Sequence, residues 1–375
     1  MSFGRRVLLV EPYYGGSHAA WVDGLVRHSR HRLTVVTHPG VFWRWRMRGG
    51  SLTLAEAAEQ VVDEQGLPEV VLVSGMIDLA AWLGFTRRFL GDPPVVLYLH
   101  ENQLVYPLSP GQRPDDGLRI VNWTGMAVAD QIWFNSAHQR DALFDALPSL
   151  FDRVPDQSHT HRLEAVRTAS HVVPVGVELS DVRVGGASGD GESPLVLWNH
   201  RWDHDKNPEA LFRSLVKLAD EGVDFRVAVA GENTRVDPRE FTEACYLLGD
   251  RVVQVGHLPR EDYTALLGQA DVVVSAALHE FFGIAVVEAV VAGAVPVLPD
   301  RLSYPELIPE QFHDAVLYPD DGLTERLMSV LGDLEGWRSR VEGLAKAMRR
   351  FDWSVAVDDY DLRIESLASR SEFLT

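Results

Sequence analysis

Cysteine is nearly absent from this chain: Cys245 is the only one in 375 residues. A single thiol excludes an internal disulfide and any cysteine-based zinc site. Long hydrophobic runs are missing as well. The first apolar run, Val7–Val10, stops at Glu11 and reads as a buried strand rather than a secretion leader. The apolar stretch around Ile284 is broken by Glu288 and Pro296, so it does not read as a membrane span. The expectation is a cytoplasmic protein with no stable membrane association. The bias of disordered chains is lacking too, because hydrophobic residues make up 46% and charged residues 24%, an ordinary globular balance. The length accommodates two domains of usual size.

Basic residues are scarce overall, and the net charge of -19 argues against a nucleic-acid partner. Residues 1–50 run the other way, with eight arginines set against only Glu11 and Asp23, a balance of +6. That asymmetry points to a local anionic partner, with a solvated basic face as the equal alternative.

Short β-rich runs alternate with helical stretches through the first half, at Val7–Val10, Leu33–Thr37, Val70–Ser74, Val95–Leu99 and Ile132–Asn135. The alternation pauses at the Gly185–Pro194 segment, whose composition is that of a linker. It restarts at Leu195–Trp198 and continues through Phe225–Ala230, Val252–Val255, Val272–Ser275 and Val295–Leu298, and helical stretches follow at Thr324–Leu331, Gly336–Arg349 and Ser354–Ala368. Two series of βαβ units predict an α/β protein of two facing, doubly wound Rossmann-like domains, 1–185 and 194–350. Ligands of such sheets sit beyond the carboxyl ends of the strands, which predicts an interdomain cleft lined by the loops that leave them.

Those loops hold the chemically suggestive residues. After the first strand comes Glu11-Pro12-Tyr13-Tyr14-Gly15-Gly16-Ser17-His18. It lacks the dinucleotide glycine spacing and a Walker lysine, yet Gly15 and Gly16 permit close backbone approach to a phosphate at a helix start. A plain strand-to-helix turn reads equally well. After Leu195–Trp198, Arg201 and Lys206 put two cations just before a helix, where they can neutralise a departing diphosphate. Asp203-His204-Asp205 spells the D-x-D pattern of metal-dependent sugar transferases. With the cations so close, the acids read instead as groups that orient Arg201 and Lys206, and no metal is expected. Glu280 and Glu288 lie eight residues apart around Gly283 and Ile284. Backbone N–H groups of Gly283 and Ile284 suit a phosphate, Glu288 suits ribose hydroxyls, and Glu280 suits hydroxyls of a donor sugar. A carboxylate within the apolar run 285–291 needs partners in any case. His100, at a strand end, reads as a substrate-positioning or proton-sharing group, or as a satisfied structural histidine. Trp43-Arg44-Trp45-Arg46-Met47-Arg48 interleaves aromatics with arginines, a pattern that suits exposed bases and phosphates as well as buried tryptophans with snorkelling arginines.

The loop cations and the paired glutamates together resemble the retaining glycosyltransferases of family 4, which have two facing Rossmann-like domains. The resemblance implies that Arg201 and Lys206 bind the donor diphosphate, Glu288 the ribose and Glu280 the sugar. It implies that Gly15 and Gly16 form the first-strand glycine loop and that His100 lines the reaction centre. Phe351-Asp352-Trp353 with Tyr360 is similar to that family's terminal helix, here 353–370, which crosses back onto the first domain. Phe281 stands where many relatives carry glycine. A closer resemblance runs through Glu11–His18, Trp43–Gly49, His100–Pro107, Trp198–Pro208, His279–Ile284 and Leu302–Glu306, to the tRNA-queuosine mannosyltransferase (glycosyltransferase-like-domain) family. It implies GDP-mannose as donor, queuosine-bearing tRNA as acceptor, retention of anomeric configuration and no cofactor. Trp43, Arg44, Trp45, Arg46 and Arg48 then become the acceptor-binding block. Two other readings stay open: a same-fold enzyme with another nucleotide sugar and a lipid, glycan or metabolite acceptor, and a non-catalytic nucleotide-sugar or RNA-binding module.

Overall fold

The computed structural model describes residues 4–108, 113–185, 192–232 and 239–372. Most of the expected linker, residues 186–191, lies outside them. The first sheet holds β1 (Arg6–Tyr14), β2 (Arg32–Pro39), β3 (Val70–Ser74), β4 (Val95–Leu99), β5 (Gln131–Phe134) and β6 (Ser170–Val172) in the order β2-β1-β3-β4-β5-β6. The second holds β7 (Leu195–Trp198), β8 (Arg226–Ala230), β9 (Val252–Gly256), β10 (Val272–Val274), β11 (Val295–Pro299) and β12 (Leu317–Tyr318) in the order β12-β11-β10-β7-β8-β9. Every pairing between these strands is parallel. The central strands β3, β4 and β7 are buried along their whole length, which is why they read as unbroken Val/Leu-rich runs rather than as alternating patterns.

Four elements differ from the sequence expectation. The Trp43–Gly49 stretch is no loop but the opening of a 23-residue helix, Trp43–Gln65, entered through Phe42 in the left-handed region at φ 57°. The expected single helix over 336–349 is two, Leu334–Arg340 and Leu344–Met348. The strands β6 and β12 are three and two residues long and stand at sheet edges, too short to show a pattern.

The chain divides into two compact units, residues 1–176 with 353–375, and residues 177–352. The segment 177–185, expected with the first domain, belongs to the second. The Val177 N–H donates to the Phe351 carbonyl at 2.8 Å and the Gly185 N–H to the Ala292 carbonyl at 2.9 Å. The helix Trp353–Glu372 belongs to the first unit, where the Tyr360 hydroxyl accepts from the Trp21 indole at 3.1 Å and donates to the Pro174 carbonyl at 2.9 Å.

Trp353, 1% exposed, anchors that helix between two glycines. A Cβ on Gly24 would fall 1.9 Å from the indole nitrogen, and one on Gly176 would fall 2.3 Å from the ring on another side. Movement away from either glycine drives the ring towards other packed atoms. Gly24→Ala and Gly176→Ala are each expected to destabilise the chain by about 1–3 kcal/mol through overpacking, and Trp353→Ala by about 3–5 kcal/mol through the cavity it leaves. Urea-denaturation midpoints check the order, and an unshifted midpoint in both glycine variants would remove the wedge role.

Candidate active site

In the second sheet, β7 lies beside β10, the point where strand order reverses and where a crevice opens at the carboxyl ends. The loops that leave these two strands therefore meet. The first closes with the 3-10 turn His204–Lys206, then Asn207 in the left-handed region at φ 52°, then Pro208 at the first position of the helix Pro208–Asp220. This turn directs the Lys206 ammonium under the second loop, where it donates to the His279 carbonyl at 2.8 Å and to Glu280 Oε2 at 3.2 Å. The Asp205 carboxylate is 3.2 Å from the same ammonium, while its backbone carbonyl accepts from the N–H groups of Leu278 and His279. Arg201, half exposed, lies 3.4 Å from Asp203.

Burial alone would lower the Lys206 pKa, but the charges of Glu280 and Asp205 raise it. Burial alone would raise Glu280, yet Lys206, His200 and the Phe282 N–H hold its carboxyl down at about 2. The pair is thus ionised throughout the physiological range. His200 is driven down to about 4 by burial and by the neighbouring Lys206 charge, so its ring is neutral at pH 7. Among the described residues, His200 Nε2 and Asn199 Oδ1 are buried without a hydrogen-bond partner. Orphaned polar atoms of this kind mark a place where a ligand completes the bonding.

Gly283, at φ 112°, caps the helix Ile284–Ala292. The Val286 and Val287 N–H groups close onto the Gly283 carbonyl at 3.0 and 3.1 Å, and the N–H groups ahead of them, at the very start of the helix, are those that helix geometry leaves for a ligand. Glu288 is 7% exposed and has the partners its position demands. Arg260 donates to one oxygen, and the Tyr263 hydroxyl donates to the other at 3.0 Å. Arg260 is fixed in turn by Asp181, both contacts at 2.9 Å, and Tyr263 accepts from Asn199 at 2.9 Å. Burial pushes the Glu288 carboxyl up, and Arg260 opposes it without cancelling it. Arg260 and Tyr263 escaped the sequence reading; their one signal is the i, i+3 spacing on the helix Arg260–Leu267.

In the first unit, Gly16 takes the left-handed region at φ 53°, and Gly15 faces Gly40 so closely that a Cβ on Gly40 would stand 2.8 Å from the Gly15 Cα. Gly15 thus has a packing role as well as a loop role. Glu11 and His18, either side of this loop, form a buried pair with Nδ1 at 3.1 Å from Oε1, and the His18 ring centroid is 4.2 Å from that of His100. The sequence reading took His100 from this group and missed the other two. The arginine–tryptophan block splits by helical phase. Trp43 packs inward with Met47, Met76 and Leu118, and Arg44 lies over its ring at 5.1 Å. Trp45 and Phe42 face outward at 64% and 76% exposure. Arg46 is half-buried, and exposed Arg48 pairs with Asp115. The surplus charge of residues 1–50 is partly matched in space, since Arg5 meets Glu69 at 2.9 Å and Arg30 meets Glu365 at 2.7 Å.

Among the described residues, the side-chain nitrogen and oxygen atoms of Glu11, His18 and His100, and those of Asp203, His204 and Asp205, come within 4.8 Å of one another.

The Glu280–Lys206 pair generates a pH-dependent expectation. A carboxyl depressed to about 2 stabilises the fold fully above its unfolded value of 4.5 and loses that contribution as pH falls towards 2. Glu280→Gln should therefore cost about 3 kcal/mol at pH 7, because it leaves the buried lysine short of a partner, and the gap from the wild type should close on acidification. Urea titrations across this range check it; a pH-independent gap would show that the pair is not what Glu280 contributes.

Comparison with known proteins matches each unit separately. The family model described as tRNA-queuosine alpha-mannosyltransferase N-terminal matches residues 6–177, and that of glycosyl transferases group 1 matches residues 187–341. The tRNA-queuosine alpha-mannosyltransferase of Drosophila melanogaster is 32% identical over 315 residues, 82% of each chain. A GDP-mannose:cellobiosyl-diphosphopolyprenol alpha-mannosyltransferase of Xanthomonas campestris is 24% identical over 238 residues, 61% of each chain. Among solved structures, sucrose-phosphate synthase from Thermosynechococcus elongatus superimposes with a TM-score of 0.71 at 15% identity, over 99% of this chain and 100% of the other. That likeness shows the two-domain GT-B glycosyltransferase fold. The extent and identity of the Drosophila match show more: the chain is a glycosyltransferase and belongs to the tRNA-queuosine alpha-mannosyltransferase family.

Proposed function

We propose that this enzyme transfers mannose from GDP-mannose to the queuosine nucleoside of tRNA. The observation that carries the reading is the match to a tRNA-queuosine alpha-mannosyltransferase over 82% of both chains, spanning both units. The donor assignment is supported by the GDP-mannose named for the Xanthomonas relative and by the crevice of the second unit. There Arg201 and Lys206 bind the diphosphate, the N–H groups of Gly283 and Ile284 hold a phosphate, Glu288 binds the ribose and Glu280 the sugar. As the bond from the anomeric carbon to phosphate breaks, its electron pair moves to the diphosphate, and fixed cations stabilise that charge without reorganisation. His100 and the Gly15–Gly16 loop are the first unit's candidate substrate contacts.

Transfer is expected to need no divalent cation, since Arg201 and Lys206 fill that role. Activity should survive EDTA; loss in EDTA with recovery on adding magnesium or manganese would instead assign Asp203 and Asp205 as ligands.

On the acceptor side, Arg44, Arg46 and Arg48 approach tRNA phosphates and Trp45, the outward tryptophan, stacks on an unpaired base, while Trp43 braces the helix from within. Replacing the three arginines should weaken tRNA binding and reduce the slope of log affinity against log salt by about 2, because fewer counterions are released. GDP-mannose binding should be unchanged. The decisive assay incubates queuosine-containing and queuosine-free tRNA with GDP-mannose and looks for a hexose mass increment on the nucleoside. A hexose on a lipid or small glycan, and none on either tRNA, would overturn the acceptor.

A further inference from the structure

We propose that Glu11 and His18 are positioning residues that hold His100 with an open acceptor nitrogen for a substrate hydroxyl. The inference rests on the transfer reaction proposed above and concerns residues to which no role has been given. Glu11 is fully buried at the end of the apolar run of β1, where a carboxylate persists only with compensating partners. It has two. The Tyr13 N–H donates to Oε1 at 2.8 Å, and His18 Nδ1 lies 3.1 and 3.2 Å from the two oxygens. Because the carboxylate can only accept, His18 must carry its proton on Nδ1. His18 also stands in the first turn of the helix Gly16–His28, whose positive end favours the Glu11 charge.

His18 then fixes His100. The two rings are tilted by 42° at 4.2 Å, Trp21 closes on His100 edge-to-face at 4.8 Å, and Tyr98 packs at 4.7 Å. The Tyr98 hydroxyl is itself tied to the Val173 carbonyl at 3.0 Å, so this wall is rigid. Among the described residues, Glu11, Tyr13 and Tyr98 are titratable groups that face the two imidazoles. Burial and the adjoining His18 hold His100 well below the ordinary histidine range, which leaves it a neutral ring with one bare nitrogen. Its Nε2 is buried and has no hydrogen-bond partner in the described structure. In the tautomer that carries its proton on Nδ1, the open Nε2 accepts a hydrogen bond from a hydroxyl, and the 15N spectra below read that tautomer directly. Saturated hydroxyls of the donor sugar and of the acceptor share that chemistry.

The test uses the full chain labelled with 15N-histidine, with His18→Gln and His100→Gln to assign the two rings. In the wild type, the spectra should show His18 protonated on Nδ1 and His100 neutral. Glu11→Gln keeps an oxygen for the Tyr13 N–H and removes the charge. It should shift both ring signals and lower kcat about ten- to hundred-fold, the size of one charge-assisted hydrogen bond, with tRNA affinity and GDP affinity unchanged. His18→Asn, which leaves Glu11 its bond from Tyr13, supplies a second variant with the same expected loss. If slow hydrolysis of GDP-mannose falls along with transfer and the donor KM rises, the hydroxyl belongs to the donor sugar. If hydrolysis is unchanged and only transfer falls, it belongs to the acceptor. Either result supports the proposal. Unaltered ring signals in folded Glu11→Gln, or transfer and hydrolysis both unchanged in Glu11→Gln and His18→Asn, would overturn it. The ring spectra and donor hydrolysis need no tRNA, so a wild type that transfers nothing to tRNA would defeat the acceptor assignment and leave this one standing on its own measurements.

Discussion

The contact on which the second unit depends is the parallel pairing of β7 with β10. It joins strands separated by more than seventy residues and forces their two exit loops into one crevice. Once there, Lys206 sits 8% exposed, and a lysine so placed remains charged only if carboxylates follow it in. Asp205 and Glu280 do so from the two loops, each at 3.2 Å. The buried lysine therefore locks the two loops together. With Asp203 beside Arg201, the cluster holds two cations against three carboxylates. Lys206 is thus the more closely matched of the two cations, and Arg201 the more exposed.

A different constraint, shape, governs the first unit. Trp353 enters where Gly24 and Gly176 leave no room for a methyl group, which recruits the final helix to a sheet whose strands lie far earlier in the chain. Tyr360, one hydroxyl bonded to Trp21, Tyr98 and the Pro174 carbonyl, then ties the helix to the wall of the His100 pocket. Trp353 packs on Tyr360, and Tyr360 bonds to Tyr98, so the helix anchor and the His100 wall share residues.

What the sequence disclosed follows the same division. The strands β3, β4 and β7 are legible to the residue, because a strand buried on both faces leaves an apolar run with abrupt ends. Lys206, Glu280, Gly283 and Glu288 are legible because each sits a fixed few residues beyond such a strand or on the helix that follows it. The helix Trp43–Gln65 is not, since its first turn is dense in arginine and tryptophan and its entry residue, Phe42, takes a conformation a bulky side chain seldom adopts. Arg260 and Tyr263 are hidden for another reason. Their link to Glu288 crosses 28 and 25 residues and exists only once helices are packed. Glu11 was open to a stricter reading: a carboxylate closing an apolar strand needs a partner, and His18 is the next cation-capable side chain.

The family match and the physical division of the chain coincide in an informative way. The family-specific model ends at residue 177, where the structure passes from the first unit to the second, and the general glycosyltransferase model runs from 187 to 341, inside the second unit. A fold shared at 15% identity with a sucrose-phosphate synthase cannot carry acceptor choice. The first unit, which the family-specific model matches, holds the Glu11–His18–His100 group and the outward face of Phe42 and Trp45. The family-specific match thus falls on the unit that holds these groups, and the general glycosyltransferase match on the unit that holds the Lys206–Glu280 crevice.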